Sequence, residues 1–392
     1  MRKYIIFFSI LIGFGGIQSS FAQIKYTPVY KTYRVAIIAP LYLDSVFDGY
    51  RLKSENSIPK YTIGGADFVQ GAELALDTIN LHGRHAEAFI YDSKSVSQPV
   101  PTLINSGKLD NMDLVIGSVK QPEYYQLARF ALQKKIPFIS ATYPNDGGIR
   151  QNPYLLIVNS TLRAHCEAIF SYILQKHGSD HIYLVHKKND NRIDNYFKEI
   201  NLVDGKPLLK IKEIMLDSSI SSNGLRYLID TTKPVVIIGA SLNQDFSKKL
   251  ADACYPIALA NQVSLIGMPN WDGFACWYNN SYLGFPIRYT TPHYVAKDNS
   301  FGKYLHDKYL QLYNIEPSDM VEKGFGITYN FTSILINRPG LLMQNLNDTS
   351  YAPFHDFNFR PVNFANAPEP DYYENKHLFI MQILNGEISR EW

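Results

Sequence analysis

The sequence predicts an α/β protein of two doubly wound lobes, each a parallel sheet covered by helices. Two observations predict it. The first is the stretch Arg34–Lys94, which reads RVAIIAPLY, then TIGGADFVQGAELALDTINLHG, then AEAFIYDSK. Val35–Leu41 is a continuous apolar run of strand length. In the middle segment Phe68, Ala72, Ala75, Leu76 and Ile79 fall on one helical face, and Ala88–Tyr91 is a second strand closed by Asp92. Strand, helix and strand make a βαβ unit. The second observation is that strand-like and helix-like segments keep alternating to about residue 267 and divide into two similar halves. In such sheets ligands collect beyond the carboxyl ends of the strands. The loop Asp44–Lys60 and the helix start at Gly64-Gly65 belong there, and the glycines are expected to let the chain turn into the helix.

The other elements follow in order. Thr102–Leu109 reads as a short helix, Asp113–Ser118 as a strand with a loop start, Gln121–Lys135 as an amphipathic helix, and Ile136–Ser140 as a strand ending in Ala141-Thr142-Tyr143-Pro144. Tyr154–Val158 is extended and crosses between lobes. The second half repeats the pattern: helix Leu162–His177, strand IYLV within His181–His186, helix Arg192–Ile200, strand Lys210–Leu216, helix Asn223–Asp230, strand Pro234–Gly239, helix Phe246–Ala260, strand Val263–Gly267. No Gly/Ser linker separates the halves, so close crossings rather than a tether should join them. Phe285–Tyr294 is extended, Phe301–Tyr313 and Thr328–Ile336 are helical, and Phe357–Phe364 and His377–Ile383 are strands around a Pro- and Asn-rich turn. The expected division is 34–158 plus about 288–335 for the first lobe, and 159–287 plus about 336–392 for the second.

With 46% apolar and 19% charged residues among 392, the chain has material for a large core. A net charge of +2 without long Lys/Arg runs argues against a nucleic-acid surface. Arg2-Lys3, the apolar run Tyr4–Ile17 and the small-residue site Ser20-Phe21-Ala22 read as a signal peptide over residues 1–22. No Cys stands directly after the apolar run, which argues against a lipid anchor, and no later segment approaches the roughly 18 apolar residues of a membrane span. A periplasmic or secreted protein is expected. Of the three cysteines, Cys166 lies in a helix as a small apolar residue, and Cys254 and Cys276 can pair in an oxidising compartment.

With these elements placed, the chain resembles the type I periplasmic binding proteins, the solute receptors of branched-chain amino-acid import systems. GADFVQGAELALDTIN is similar to that family's first helix, DLVIGSVKQP and IPFISATYP to its third and fourth strands with their ligand loops, and KGFGITYNFTSILI to its late helix. The loop before FVQG and the segment LIGMPNWDGF resemble a bacterial envelope subgroup often fused to LysM repeats, although no such repeat is visible. The resemblance implies two Rossmann-like lobes, three crossings, and hinge closure on a ligand held between them. It places Thr142, with Tyr143 beside it, where a hydroxyl grips a carboxylate, and Ser118 near a second hydroxyl position. It aligns Gln244 with the family's acidic partner for an ammonium, and it puts Trp271 at the cleft, either stacked on a ligand or packing the hinge.

These implications give a candidate ligand set of Ser118, Thr142, Tyr143, Gln244 and Trp271, with no catalytic residue, cofactor or metal. With Gln244 where an acid should stand, a neutral or anionic ligand is expected rather than a zwitterionic branched-chain amino acid. Lys187-Lys188 can meet an acidic group or form a solvated loop. His181 and His186 flank one strand on opposite faces, and no zinc-ligand spacing occurs. No nucleophile–base set is visible, so an enzyme is not expected. The function classes left are a solute-binding protein feeding a permease or a sensor, and an envelope protein that binds a protein or wall fragment without transport.

Overall fold

The computed structural model describes residues 31–392 except 54–56, 82, 84, 189, 217–219, 279 and 365–366. The signal peptide expected over 1–22 lies outside the described residues. Strand β1 (Tyr33–Ala39) is buried along almost its whole length. It pairs in parallel with β2 (Ala86–Asp92), Ile37 opposite Ile90, and with β3 (Leu114–Gly117), Ile37 opposite Ile116. β4 (Phe138–Ser140) and β5 (Leu155–Ile157) extend this sheet in parallel. The apolar runs of the sequence are strands because helices cover both faces and leave no wet side.

Residues 155–157 are therefore a strand of the first sheet, and the chain leaves that lobe only after them. The second sheet contains β6 (His181–Lys187), β7 (Ile211–Leu216), β8 (Val235–Gly239), β9 (Val263–Ile266) and β10 (Ile287–Thr291), all paired in parallel.

The tail corrects the expected division. β11 (Phe359–Val362) and β12 (Tyr372–Asn375) add to the first sheet, β12 running parallel to β5. Only β13 (Phe379–Leu384) and β14 (Glu387–Arg390) join the second, antiparallel beside β10. The sheet orders are β11-β12-β5-β4-β3-β1-β2 and β7-β6-β8-β9-β10-β13-β14. The expected turn between two tail strands thus holds β12, whose side chains Tyr372, Glu374 and Asn375 are buried although the segment is too polar to read as a strand.

Helix α1 (Lys60–Leu81) begins four residues earlier than the sequence predicts. Gly64 and Gly65 lie inside it. A Cβ on Gly65 would stand 2.2 Å from the Pro40 carbonyl oxygen, so this glycine serves the close approach of helix to strand end. Further along, α1 packs on the late helix Asp319–Asn337 through two more glycines. A Cβ on Gly71 would lie 2.0 Å from the Val321 carbonyl oxygen, and one on Gly324 2.1 Å from that of Phe68. Backbone meets backbone here.

That contact is testable by a matched pair of substitutions. Gly71→Ala should destabilise the protein by at least about 2 kcal/mol, because overpacking exceeds the gain in helix propensity. Gly64→Ala, whose Cβ would meet only Met320 Cγ at 4.0 Å, should be neutral or stabilising by up to about 1 kcal/mol. Urea unfolding of the two variants measures both.

Candidate ligand-binding cleft

Three segments of chain pass between the lobes, and two of them are bonded to each other. After β5, Ser160 Oγ donates to the Asn375 carbonyl at 2.6 Å, and the Thr161 N–H donates to Glu374 Oε1 at 2.7 Å. Glu374 is buried, and Lys376 joins it at 2.6 Å while reaching Glu167 of the second lobe at 2.9 Å. The third passage, Thr291–His293, follows β10.

Beside these passages lies a cavity of about 410 Å³. Pro144 and Asn145 enter it from the loop after β4, and Leu242, Asn270 and Asp272 from loops at the carboxyl ends of β8 and β9. Asn159, Ser160 and Pro292 come from the passages, and Lys323 from the late helix Asp319–Asn337. Both sheets thus direct strand-end loops at one space, where a doubly wound sheet holds ligands. His165 also lines it; its Nδ1 lies 2.7 Å from Thr290 Oγ1, and burial pushes its pKa down to about 3, so it is neutral at pH 7. Burial raises the Asp272 pKa, with Lys323 acting in the opposite direction. Arg192, exposed at the start of helix Arg192–Asn201, faces the same space.

A second cavity, about 160 Å³ and mainly apolar, shares Asn159, Pro292 and Lys323 with the first. Thr142 lines it together with His293, Phe354 and His355. The Thr142 hydroxyl lies 3.2 Å from Ser118 Oγ, and the Thr142 carbonyl accepts from Asn159 Nδ2 at 2.8 Å. The structure therefore brings Ser118 and Thr142 together, although Ser118 itself is buried and lines neither cavity. Tyr143 is half-buried against the core of the first lobe, its ring centroid 4.8 Å from that of Tyr124, and it lines neither cavity.

Two further expected site residues sit elsewhere. Gln244 is the first residue of helix Gln244–Ala258; it is exposed and lines neither cavity, because Asn243 caps that helix and turns it outward. Trp271 is 0% exposed. Its indole N–H donates to the Ser241 carbonyl at 3.0 Å, and its ring stacks on Trp277 at 5.3 Å. A Cβ on Gly267 would lie 1.9 Å from that ring. Trp271 is a core residue of the second lobe, and its neighbours Asn270 and Asp272 face the cavity instead. Lys187 and Lys188 are exposed and line neither cavity. Cys254 and Cys276 are both free thiols.

Residues 60–192 match the family model of periplasmic binding proteins. A branched chain amino acid ABC transporter periplasmic ligand-binding protein from Burkholderia xenovorans superposes with TM-score 0.61 at 9% identity, over 92% of this chain and 95% of that one. The fold is that of a type I periplasmic binding protein. An ABC transporter substrate-binding protein from Desulfitobacterium hafniense, in complex with Leu, gives 0.57 at 14% identity over 92% and 100% of the two chains. A branched-chain amino acid transporter substrate binding protein from Streptococcus pneumoniae, in complex with isoleucine, gives 0.51 at 16% over 92% and 99%. A search of curated proteins finds no match.

The hinge side of the cleft carries an unusual carboxyl. Burial raises Glu322 to about 7, and the neighbouring Asp319 adds to the rise. Its Oε2 lies 3.4 Å from His293 Nε2. A raised carboxyl holds a proton in the folded state that the unfolded chain releases, so its contribution to stability falls as pH rises from about 4.5 to about 7. His293 and His355, pushed down to about 3 by burial, act oppositely between about 3 and 6.5. Glu322→Gln removes only the first effect. Its stabilising effect at pH 8 should exceed that at pH 5 by about 1–2 kcal/mol, allowing for the partial exposure of the carboxyl; urea unfolding at the two pH values measures it.

Proposed function

We propose that the chain is an exported solute-binding protein that clamps a small polar ligand between its lobes and delivers it to a membrane permease or a sensor. The observation that carries this reading is the cavity of about 410 Å³ lined by strand-end loops of both sheets and by the passages between them. A ligand there touches both lobes, so its binding free energy favours the closed arrangement. No described helix is long and apolar enough to cross a membrane, and the signal-peptide pattern at residues 1–22 supports export to the periplasm or beyond. The solved relatives carrying Leu and isoleucine support a small solute as the ligand class.

The ligand's charge follows from the cavity wall. The expectation of a neutral or anionic ligand rested on Gln244, which does not line the cavity. The acid that does is Asp272, with Lys323 and Arg192 as the facing cations. Lys323 offsets Asp272 electrostatically, so the balance of the wall still favours a ligand with an anionic group, such as a carboxylate. A second reading, an envelope protein that binds a protein or wall fragment, is favoured by the exposed side chains of Leu43, Tyr50, Leu52, Ile58, Tyr61 and Ile63 on one segment near the first strand's end.

A thermal-shift screen of the exported protein against amino acids, carboxylic acids, sugars and muropeptides decides between these readings. Binding of a small carboxylate should raise the melting temperature, and Lys323→Met should weaken it by about tenfold or more. Asp272→Asn should weaken an amino acid but not a simple carboxylate. If no small molecule shifts the transition and a muropeptide or protein does, the second reading replaces the first.

A further inference from the structure

Away from the cleft, the second lobe gathers a histidine and two carboxylates. His186 ends the buried part of β6, Asp194 lies in the first turn of helix Arg192–Asn201, and Glu213 stands on β7. One ligand atom from each lies within 4.8 Å of the others. His186 Nε2 is 2.8 Å from Glu213 Oε1, and its Nδ1 is 3.1 Å from the Lys187 carbonyl. Carbonyl and carboxylate oxygens only accept, so each ring nitrogen donates as the site stands; a metal ion would take Nε2 in place of that proton while the Nδ1–H bond keeps the ring oriented. This is the arrangement that orients a metal-ligating histidine through its other nitrogen.

The cluster has a second, independent mark. Asp194 is 1% exposed, and its Oδ1 is buried with no hydrogen-bond partner among the described residues. Its other oxygen, Oδ2, takes the Lys198 ammonium at 2.6 Å, and the same ammonium reaches Glu213 Oε2 at 2.9 Å. A buried carboxylate oxygen without a partner is costly and uncommon. Lys198 holds both carboxylates through one ammonium, and its side chain is 56% exposed. A divalent cation in its place would balance both carboxylates.

We infer that His186, Asp194 and Glu213 form a binding site for a divalent transition-metal ion of the zinc type, held through Nε2 and two carboxylates, with Lys198 as the internal cation it displaces. Nitrogen and oxygen ligands stand at about 2.0–2.2 Å from zinc, which places them about 3.3 Å apart in a tetrahedral shell. Small side-chain movements bring the present spacing to that value. Three protein ligands leave a fourth position for water. The ion would fix to the sheet the same helical turn that presents Arg192 to the cleft.

Zinc titration of the chelator-treated full chain, followed by calorimetry and thermal unfolding, tests the site. The wild-type protein should bind one equivalent that Asp194→Asn abolishes, and Lys198→Ala should bind it several-fold more tightly because the competing ammonium is gone. The Lys198 substitution, at an exposed position, decides the matter even if Asp194→Asn does not fold. Absence of a zinc site in the wild type, retention of affinity in folded Asp194→Asn, or equal or weaker binding in Lys198→Ala overturns the inference.

Discussion

Helix Lys60–Leu81 and helix Asp319–Asn337 meet through Gly71 and Gly324, whose missing side chains admit the carbonyls of Val321 and Phe68. The contact joins parts of the chain about 250 residues apart and is what returns the late helix to the first lobe. Everything after β10 depends on that return. The late helix carries Glu322 toward the hinge and Lys323 into the cleft, and the strands that follow it complete the first sheet before the chain passes back. Close backbone approach is selective, because any side chain at the contact forces the helices apart or the cores open.

The second lobe solves its own packing problem with a large residue over small ones. Trp271 covers Gly239 and Gly267 at the carboxyl ends of β8 and β9 and is tied to the Ser241 carbonyl. Burying that indole holds the short helical turn Pro269–Gly273 in place, and the turn in turn presents Asn270 and Asp272 to the cavity. The aromatic that looked like a ligand-stacking candidate is therefore the support for the polar residues on either side of it. A tryptophan in a strand-end loop has the same one-dimensional pattern in both roles; the two glycines that accommodate it are the signal that distinguishes them.

The candidate site was partly legible. Thr142 and Ser118 follow strands whose apolar runs are unmistakable, and the two hydroxyls do come together. Gln244 does not reach the cavity because it opens a helix capped by Asn243, which sends its side chain to solvent. Lys323 sits in an amphipathic helix where a solvated lysine is ordinary, and His165 and Thr290 form their pair across 125 residues. The grouping of His186 with Asp194 and Glu213 was hidden for the same reason: strand, helix turn and neighbouring strand converge only once the sheet is paired.

By itself the sequence determined the βαβ alternation, the number of large lobes and the burial of their central strands, because these follow from local periodicity and from apolar runs that only a two-sided cover can bury. The tertiary structure alone decided where the tail goes, since Tyr372–Asn375 is polar in sequence yet buried between β5 and β11. It also decided which side chains face the cleft. Direction there is set by helix caps, glycine contacts and long-range pairing, none of which has a period that a single sequence can display.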